Sequence, residues 1–157
     1  MKPVISDEQA ELLIRECQAE AQIAIDEGNP PFSCIITDAY GAILVQTHNT
    51  QNTQNDPTAH AEIRALSQLG RTRGSRFLDG CVMFSNAESC SMCMSAAIKA
   101  KIDIFFYGAA AEPMNPSITM ADIASKCSAP LKITGGILAR DCAAQIAAGR
   151  KNETLSI

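Results

Sequence analysis

The chain has no tryptophan and few other aromatics, two Tyr and five Phe in 157 residues. With 46% apolar and 19% charged residues, its composition is still that of an ordinary soluble globular protein. No stretch is long and apolar enough to span a bilayer, which excludes a helical membrane protein. The opening residues MKPVISDEQA contain no apolar signal core, so a cytoplasmic location is expected. Positive charge is not in excess. A formal net charge of −4 argues against a broad phosphate-binding surface. Repeats, low-complexity tracts and linker-like segments are missing too, and the length suits one domain, residues 1–157, with a core that needs no disulfide or structural metal. What the chain does have is cysteine, seven in all. Without a secretion signal these read as reduced thiols, some of them reserved for metal. Cys17, Cys34, Cys81, Cys127 and Cys142 lie in apolar or amphipathic surroundings that suit small buried hydrophobes.

Periodicity and turn residues suggest a layered α/β chain. Ser6 followed by Gln9 is a capping-box pattern opening a helix to about Glu27, which Gly28-Asn29-Pro30-Pro31 ends. Phe32 to Thr37 and Ala42 to Gln46 read as a hairpin around Asp38-Ala39-Tyr40-Gly41. A polar loop covers Asn49 to Asn55. Asp56 is then expected to cap a helix with Pro57 at its first position and Gly70 beyond its end. Cys81 to Phe84 predicts a short strand and Cys90 to about Lys101 a helix. Ile102 to Tyr107, the most apolar strand, is expected at the centre of the sheet. Further elements are predicted as a helix near Thr119 to Lys126, a strand near Leu131 to Ile133 and a helix from about Ala139 to Gly149. The order implies a mixed sheet covered on both faces.

Two short motifs stand thirty residues apart at loop-to-helix junctions. His60-Ala61-Glu62 lies in DPTAHAEIRAL, and Cys90-Ser91-Met92-Cys93 in NAESCSMCMSAAI. One imidazole and two thiolates are three ligands for a tetrahedral zinc, which leave a fourth position for water. Cys90 and Cys93 are one helical turn apart, and a helix N-terminus favours the thiolate. His60 and Glu62 would stand about 200° apart within a helix, so they can converge only off its N-terminal end. Two helix N-termini facing one zinc are therefore expected, with Glu62 carrying protons for the water. Two other readings compete. A structural zinc site would need a fourth ligand from His48 or Cys81. A redox C-x-x-C pair would leave the H-A-E triplet without a role.

H-x-E followed by C-x-x-C is the signature of zinc-dependent base deaminases. Over roughly Pro31 to Gly108 the chain resembles the cytidine deaminase-like superfamily, specifically the branch of guanine, cytosine and tRNA adenosine deaminases. NDPTAHAEIRAL, with Asn49 eleven residues ahead of His60, is very similar to that branch. The resemblance implies a three-layer α/β/α sandwich with a mixed five-stranded sheet, a Zn2+ cofactor held by His60, Cys90 and Cys93, catalysis by Glu62, and a homodimer or larger assembly. It also implies base contact at Asn49, with Ala61 and Phe32 as further substrate-binding residues. Two departures stand out. Ser89 occupies the position before the first cysteine where Pro is usual, and is expected to cap the helix. Ser33 follows Pro31-Phe32 where Gly is usual, and a side chain there is expected to reshape the pocket wall.

A tRNA substrate would draw on Lys and Arg contacts to phosphate. Arg71, Arg73 and Arg76, with Arg150 and Lys151, form the notable basic groups, and Arg71 to Arg76 read as a solvated loop after a helix. A small aminated heterocycle, a free nucleobase such as guanine, is therefore the expected substrate, with no nucleic-acid partner. The runner-up readings are a tRNA adenosine deaminase and a zinc-containing module that binds a base or partner without turnover. Guanine deaminases of this type often use an additional acid on the base, and Glu112 and Asp122 are candidates by position, although each reads first as a surface or helix-capping residue. From Ala109 onward no further motif stands out, and the helix over residues 140–151 is left open between interface and lid.

Overall fold

The computed structural model describes residues 5–111 and 117–155. Helix α1 (Asp7–Asp26) opens on the expected capping box: the Ser6 hydroxyl accepts from the Gln9 N–H, and the Gln9 side chain accepts from the Ser6 N–H. Strands β1 (Ser33–Thr37) and β2 (Ile43–His48) form the hairpin. In the turn between them Asp38 Oδ1 accepts from the N–H groups of Tyr40 and Ala42, and Gly41 takes a φ of +92°. The polar loop contains one helical turn, α2 (Gln51–Gln54), which stops at a left-handed Asn55.

Helix α3 (Ala61–Arg73) begins four residues later than Asp56-Pro57 suggested and runs through Gly70. The reason lies in Asp56, whose carboxylate takes the backbone N–H and hydroxyl of Thr58 at 2.8 and 2.7 Å. That local turn consumes the cap and delays helix entry to His60, the actual N-cap. At the other end Gly74, with φ +68°, supplies the left-handed stop. Strand β3 (Val82–Ala87), helix α4 (Ser91–Lys99) and strand β4 (Ile104–Ala109) follow, then α5 (Met120–Ala124), β5 (Lys132–Thr134) and α6 (Ala139–Leu155).

The sheet order is β2-β1-β3-β4-β5, with β1 antiparallel to both neighbours and β3, β4 and β5 mutually parallel. Strand β4 is interior, but the middle position belongs to β3, buried along its whole length, because β4 is followed only by the short edge strand β5. Alternation along each strand feeds two cores. Cys34, Ile36, Met83 and Phe105 pack under α3, α4 and α5. Ile35, Val82, Phe84 and Phe106 pack under α1 and α6, with Phe84 and Phe106 stacked 4.9 Å apart in register. The result is the expected α/β/α sandwich with a mixed five-stranded sheet.

Candidate zinc centre and the pocket around it

The folded chain brings both motifs to one point. His60 is the N-cap of α3 and Cys90 the N-cap of α4, so each ligand stands where its helix begins. Cys93 and Glu62 sit within the first turns of the same two helices. His60 Nδ1 lies 3.6 Å from Cys90 Sγ and 3.4 Å from Cys93 Sγ, and all three donor atoms fall within 4.8 Å of one another. With Zn–N of about 2.1 Å and Zn–S of about 2.3 Å, two ligands of a tetrahedral zinc stand about 3.6 Å apart. The donor set therefore fits the ion in chemistry and in spacing.

Neither competing fourth ligand joins it. The His48 ring is held between Glu20 and Glu27 at 2.7 and 2.8 Å, and the Arg73 guanidinium donates to Cys81 Sγ at 3.2 Å. Among the described residues, His60, Cys90 and Cys93 are the one His/Cys/acid cluster of metal-ligand geometry.

The chain matches, over residues 7–109, the family model described as the cytidine and deoxycytidylate deaminase zinc-binding region. It belongs to this deaminase family. Among relatives, the guanine deaminase of Bacillus subtilis is 38% identical over 79 residues, half of each chain. The tRNA-specific adenosine deaminase of Aquifex aeolicus is 31% identical over 99 residues, 63% of this chain and 65% of its own. The chain thus spans about half the length of the first relative and under two thirds of the second. A solved structure of guanine deaminase from Nitrosomonas europaea superposes with a TM-score of 0.78 at 19% identity, covering 90% of this chain and 84% of that one. That likeness is one of fold.

At this site the electrostatics follow from burial and from the helix ends. The hydrogen bond from Cys93, with the His60 ring beside it, brings the Cys90 thiol down to about 4 despite its burial. Cys93, as the protonated member of that pair and itself buried, is pushed up. Hydrogen bonding to Cys90 raises His60, against the effect of burial. Burial pushes the Glu62 carboxyl up, while its own backbone N–H and the Ser89 hydroxyl pull the other way. Glu62 is only 7% exposed. Ser89 is therefore no helix cap. Cys90 holds that position, and the Ser89 hydroxyl turns to the Glu62 carboxylate instead.

A cavity of about 270 Å³ opens over His60, Glu62 and Cys90. Asn49, buried, stands in its wall beside the half-buried Phe32. The Asn49 amide donates to Gln51 Oε1 at 2.7 Å and accepts from the Gln51 N–H at 2.8 Å, so the residue is a turn former and a pocket wall at once. Ala61 is enclosed in the core beneath the pocket, and its carbonyl accepts from the Thr47 hydroxyl. Ser33 is itself part of the cavity wall, and its hydroxyl donates to the Cys17 carbonyl at 2.5 Å. Asp122 is not brought here. Its carboxylate closes a capping box with Thr119 at the start of α5. Glu112 lies outside the described residues.

Several pocket residues escaped the sequence reading. Asn86, fully buried on β3, accepts from the Ser33 N–H and donates to the Pro31 carbonyl, which fastens the Pro31-Phe32 wall to the sheet. Glu88 spends both carboxylate oxygens on the N–H groups of Ala111 and Met120. Gln51 stands behind Asn49. A polar residue inside an apolar strand, Asn86 in VMFSNA, was the available signal. Arg71, Arg73 and Arg76 stand away from the pocket lining, whereas Arg150 is part of it. Nothing local in the sequence marks Arg150, since it reaches the pocket only through the packing of α6.

Proposed function

We propose that the protein hydrolytically deaminates a small aminated heterocycle, a free base such as guanine, and releases ammonia. The observation that carries this is the buried Glu62 carboxylate beside a three-donor zinc set at one cavity, since three protein donors leave room for water. His60, Cys90 and Cys93 would hold zinc, which when bound supplies the Lewis acidity that makes water a nucleophile near neutral pH. Glu62 takes the proton of the attacking water, and oxygen bonds to the ring carbon that carries the amine. The same carboxylate delivers that proton to the ring nitrogen, then carries the second proton from the new hydroxyl to the amine, and the carbon–nitrogen bond breaks as the carbonyl forms and ammonia leaves. Ser89 and the Glu62 N–H hold the carboxylate in place for that exchange. Asn49 orients the base by exchanging its hydrogen bonds to Gln51 for bonds to the ring, and Phe32 walls it.

A small base is favoured over RNA by the cavity's modest volume, by the acidic balance of the chain and by the similarity to a guanine deaminase. A homodimer in the cytoplasm accompanies the reading on the family resemblance; among the described residues no helix is long and apolar enough to cross a membrane. The test is ammonia release by zinc-loaded protein from guanine, cytosine, adenine, their nucleosides and an anticodon-loop RNA. Turnover of a free base supports the proposal. Turnover confined to the RNA replaces it with the tRNA reading, and zinc binding with silence on every substrate leaves a binding module.

A further inference from the structure

Helix α2 is a single turn, and a helix that short does not stand alone, because fixing a first turn is unfavourable. The N–H groups of Gln51, Asn52 and Thr53 have no acceptor inside it. Thr50 holds the N-cap, where a hydroxyl would ordinarily take one of them. It takes none. Thr50 is 6% exposed, and its hydroxyl finds no partner among the described residues. The Gln51 N–H goes to Asn49 Oδ1 at 2.8 Å instead. Those of Asn52 and Thr53 both go to Asn29 Oδ1, at 3.0 and 3.1 Å. An atom that faces two N–H groups must be the oxygen, so the Asn29 nitrogen is the end that donates to the Thr53 hydroxyl, at 3.3 Å.

Asn29 is itself well fixed. It follows Gly28, which leaves α1 at φ +82°, and its own N–H closes back on the Ala24 carbonyl at 2.8 Å. The residue is 1% exposed. Asn52 adds a second tie by donating from its amide to the Gly28 carbonyl at 2.8 Å. The cap of α2 is thus supplied from the end of α1, 23 residues upstream. Both sides of this joint face the cavity, Pro30 from one and Asn49 with Gln51 from the other. We propose that Asn29 is a positioning residue for the substrate: by capping α2 from the end of α1 it sets where Asn49 meets the ring. The inference rests on the proposed deaminase reading, which gives Asn49 a base to orient.

The experiment measures kcat and KM of zinc-loaded protein on guanine and the other panel bases, and amide hydrogen exchange at Asn52 and Thr53 by NMR. Asn29→Ala and Asn29→Leu lack the acceptor and should lower kcat/KM about tenfold, chiefly through KM, the size of one ligand hydrogen bond. Asn29→Asp keeps an oxygen for both N–H groups and should stay within about threefold of wild type. Thr50→Val removes the hydroxyl at the formal cap position and should change nothing. In an Asn49→Ala background, Asn29→Ala should lower kcat/KM by less than about twofold more, because its effect passes through Asn49. Equal kcat/KM in wild type and Asn29→Ala would overturn the proposal. So would a tenfold loss that persists without the Asn49 amide, a loss in Asn29→Asp as large as in Asn29→Ala, or a comparable loss in Thr50→Val. If no panel base releases ammonia, the deaminase reading has failed, and exchange decides Asn29 separately. Faster exchange at Asn52 and Thr53 in Asn29→Ala that Asn29→Asp reverses upholds the supplied cap, and unchanged exchange rejects it.

Discussion

Glu62 is a carboxylate kept where carboxylates are costly. At 7% exposure, burial works against its charge, and a few short-range groups restrain it. Glu62→Gln keeps the shape and removes the proposed proton carrier. The variant is expected to retain one zinc by metal analysis and to lose turnover by about a thousandfold, within the usual range for a general acid–base group. Zinc loss together with activity would show that Glu62 supports the metal site instead. Asn86 acts at a distance from the chemistry. Asn86→Ala leaves the buried Ser33 N–H and Pro31 carbonyl without their partner, a loss of about 3 kcal/mol for two such groups. Denaturant titration should show it, and a loss below about 1 kcal/mol would mean that the wall is held by other contacts. At this scale the sequence was most legible where chemistry needs fixed residue types. That His60, Cys90 and Cys93 would meet, with Glu62 beside them, could be read from spacing, because a zinc donor set tolerates few alternatives. Ser89 was misread as a cap because its preference for helix starts is general, while its place beside Glu62 depends on a second helix thirty residues away.

Helix ends decide where this site stands. Capping residues were legible when the cap was local, as in the Ser6–Gln9 box. Asp56 misled because the carboxylate that would cap a helix at Pro57 closes a shorter turn with Thr58, so α3 waits for His60. That delay is functional, since it sets His60 at the N-cap with Glu62 in the first turn. Asp56 and Asp122 are both held below the ordinary carboxylate value of 3.8, Asp56 chiefly by the Thr58 hydroxyl and Asp122 chiefly by the Thr119 N–H. A carboxyl with a lowered folded value stabilises the fold above its unfolded value and loses that contribution as pH falls through the folded one. The melting temperature of Asp122→Asn should therefore lie below wild type at pH 7 and converge with it as pH falls below the ordinary carboxylate value of 3.8 and through the lowered one. A gap that persists at low pH would trace to the side-chain swap rather than to charge. The C-terminal helix was the least legible element. Its buried residues, Cys142, Ile146 and Gly149, are small or scattered, and only the tertiary approach of Gly149 to Pro31 shows why Arg150 enters the pocket.

As a whole molecule, the sandwich makes its active cavity from both helical layers, and a bound ion would tie α3 to α4 across the sheet end. Because the three donors are assembled only in the folded chain, zinc adds its binding free energy to stability. With free zinc at a thousand times its Kd the contribution is about 4 kcal/mol, or roughly 10 °C for a domain of this size. A strong chelator should lower the melting temperature of wild type by that order and leave His60→Ala almost unaffected. Sheet order was partly legible. The mixed sheet followed from the order of elements, but the most apolar strand proved to be second from the edge, with only the short strand β5 beyond it. The central claim joins metal to turnover. Its most direct test is to titrate zinc into metal-free protein while measuring ammonia release from guanine and the panel bases. The account predicts a rate that rises in proportion to zinc and saturates at one equivalent per chain. Turnover that does not depend on zinc, or that continues to rise well past one equivalent, would contradict it.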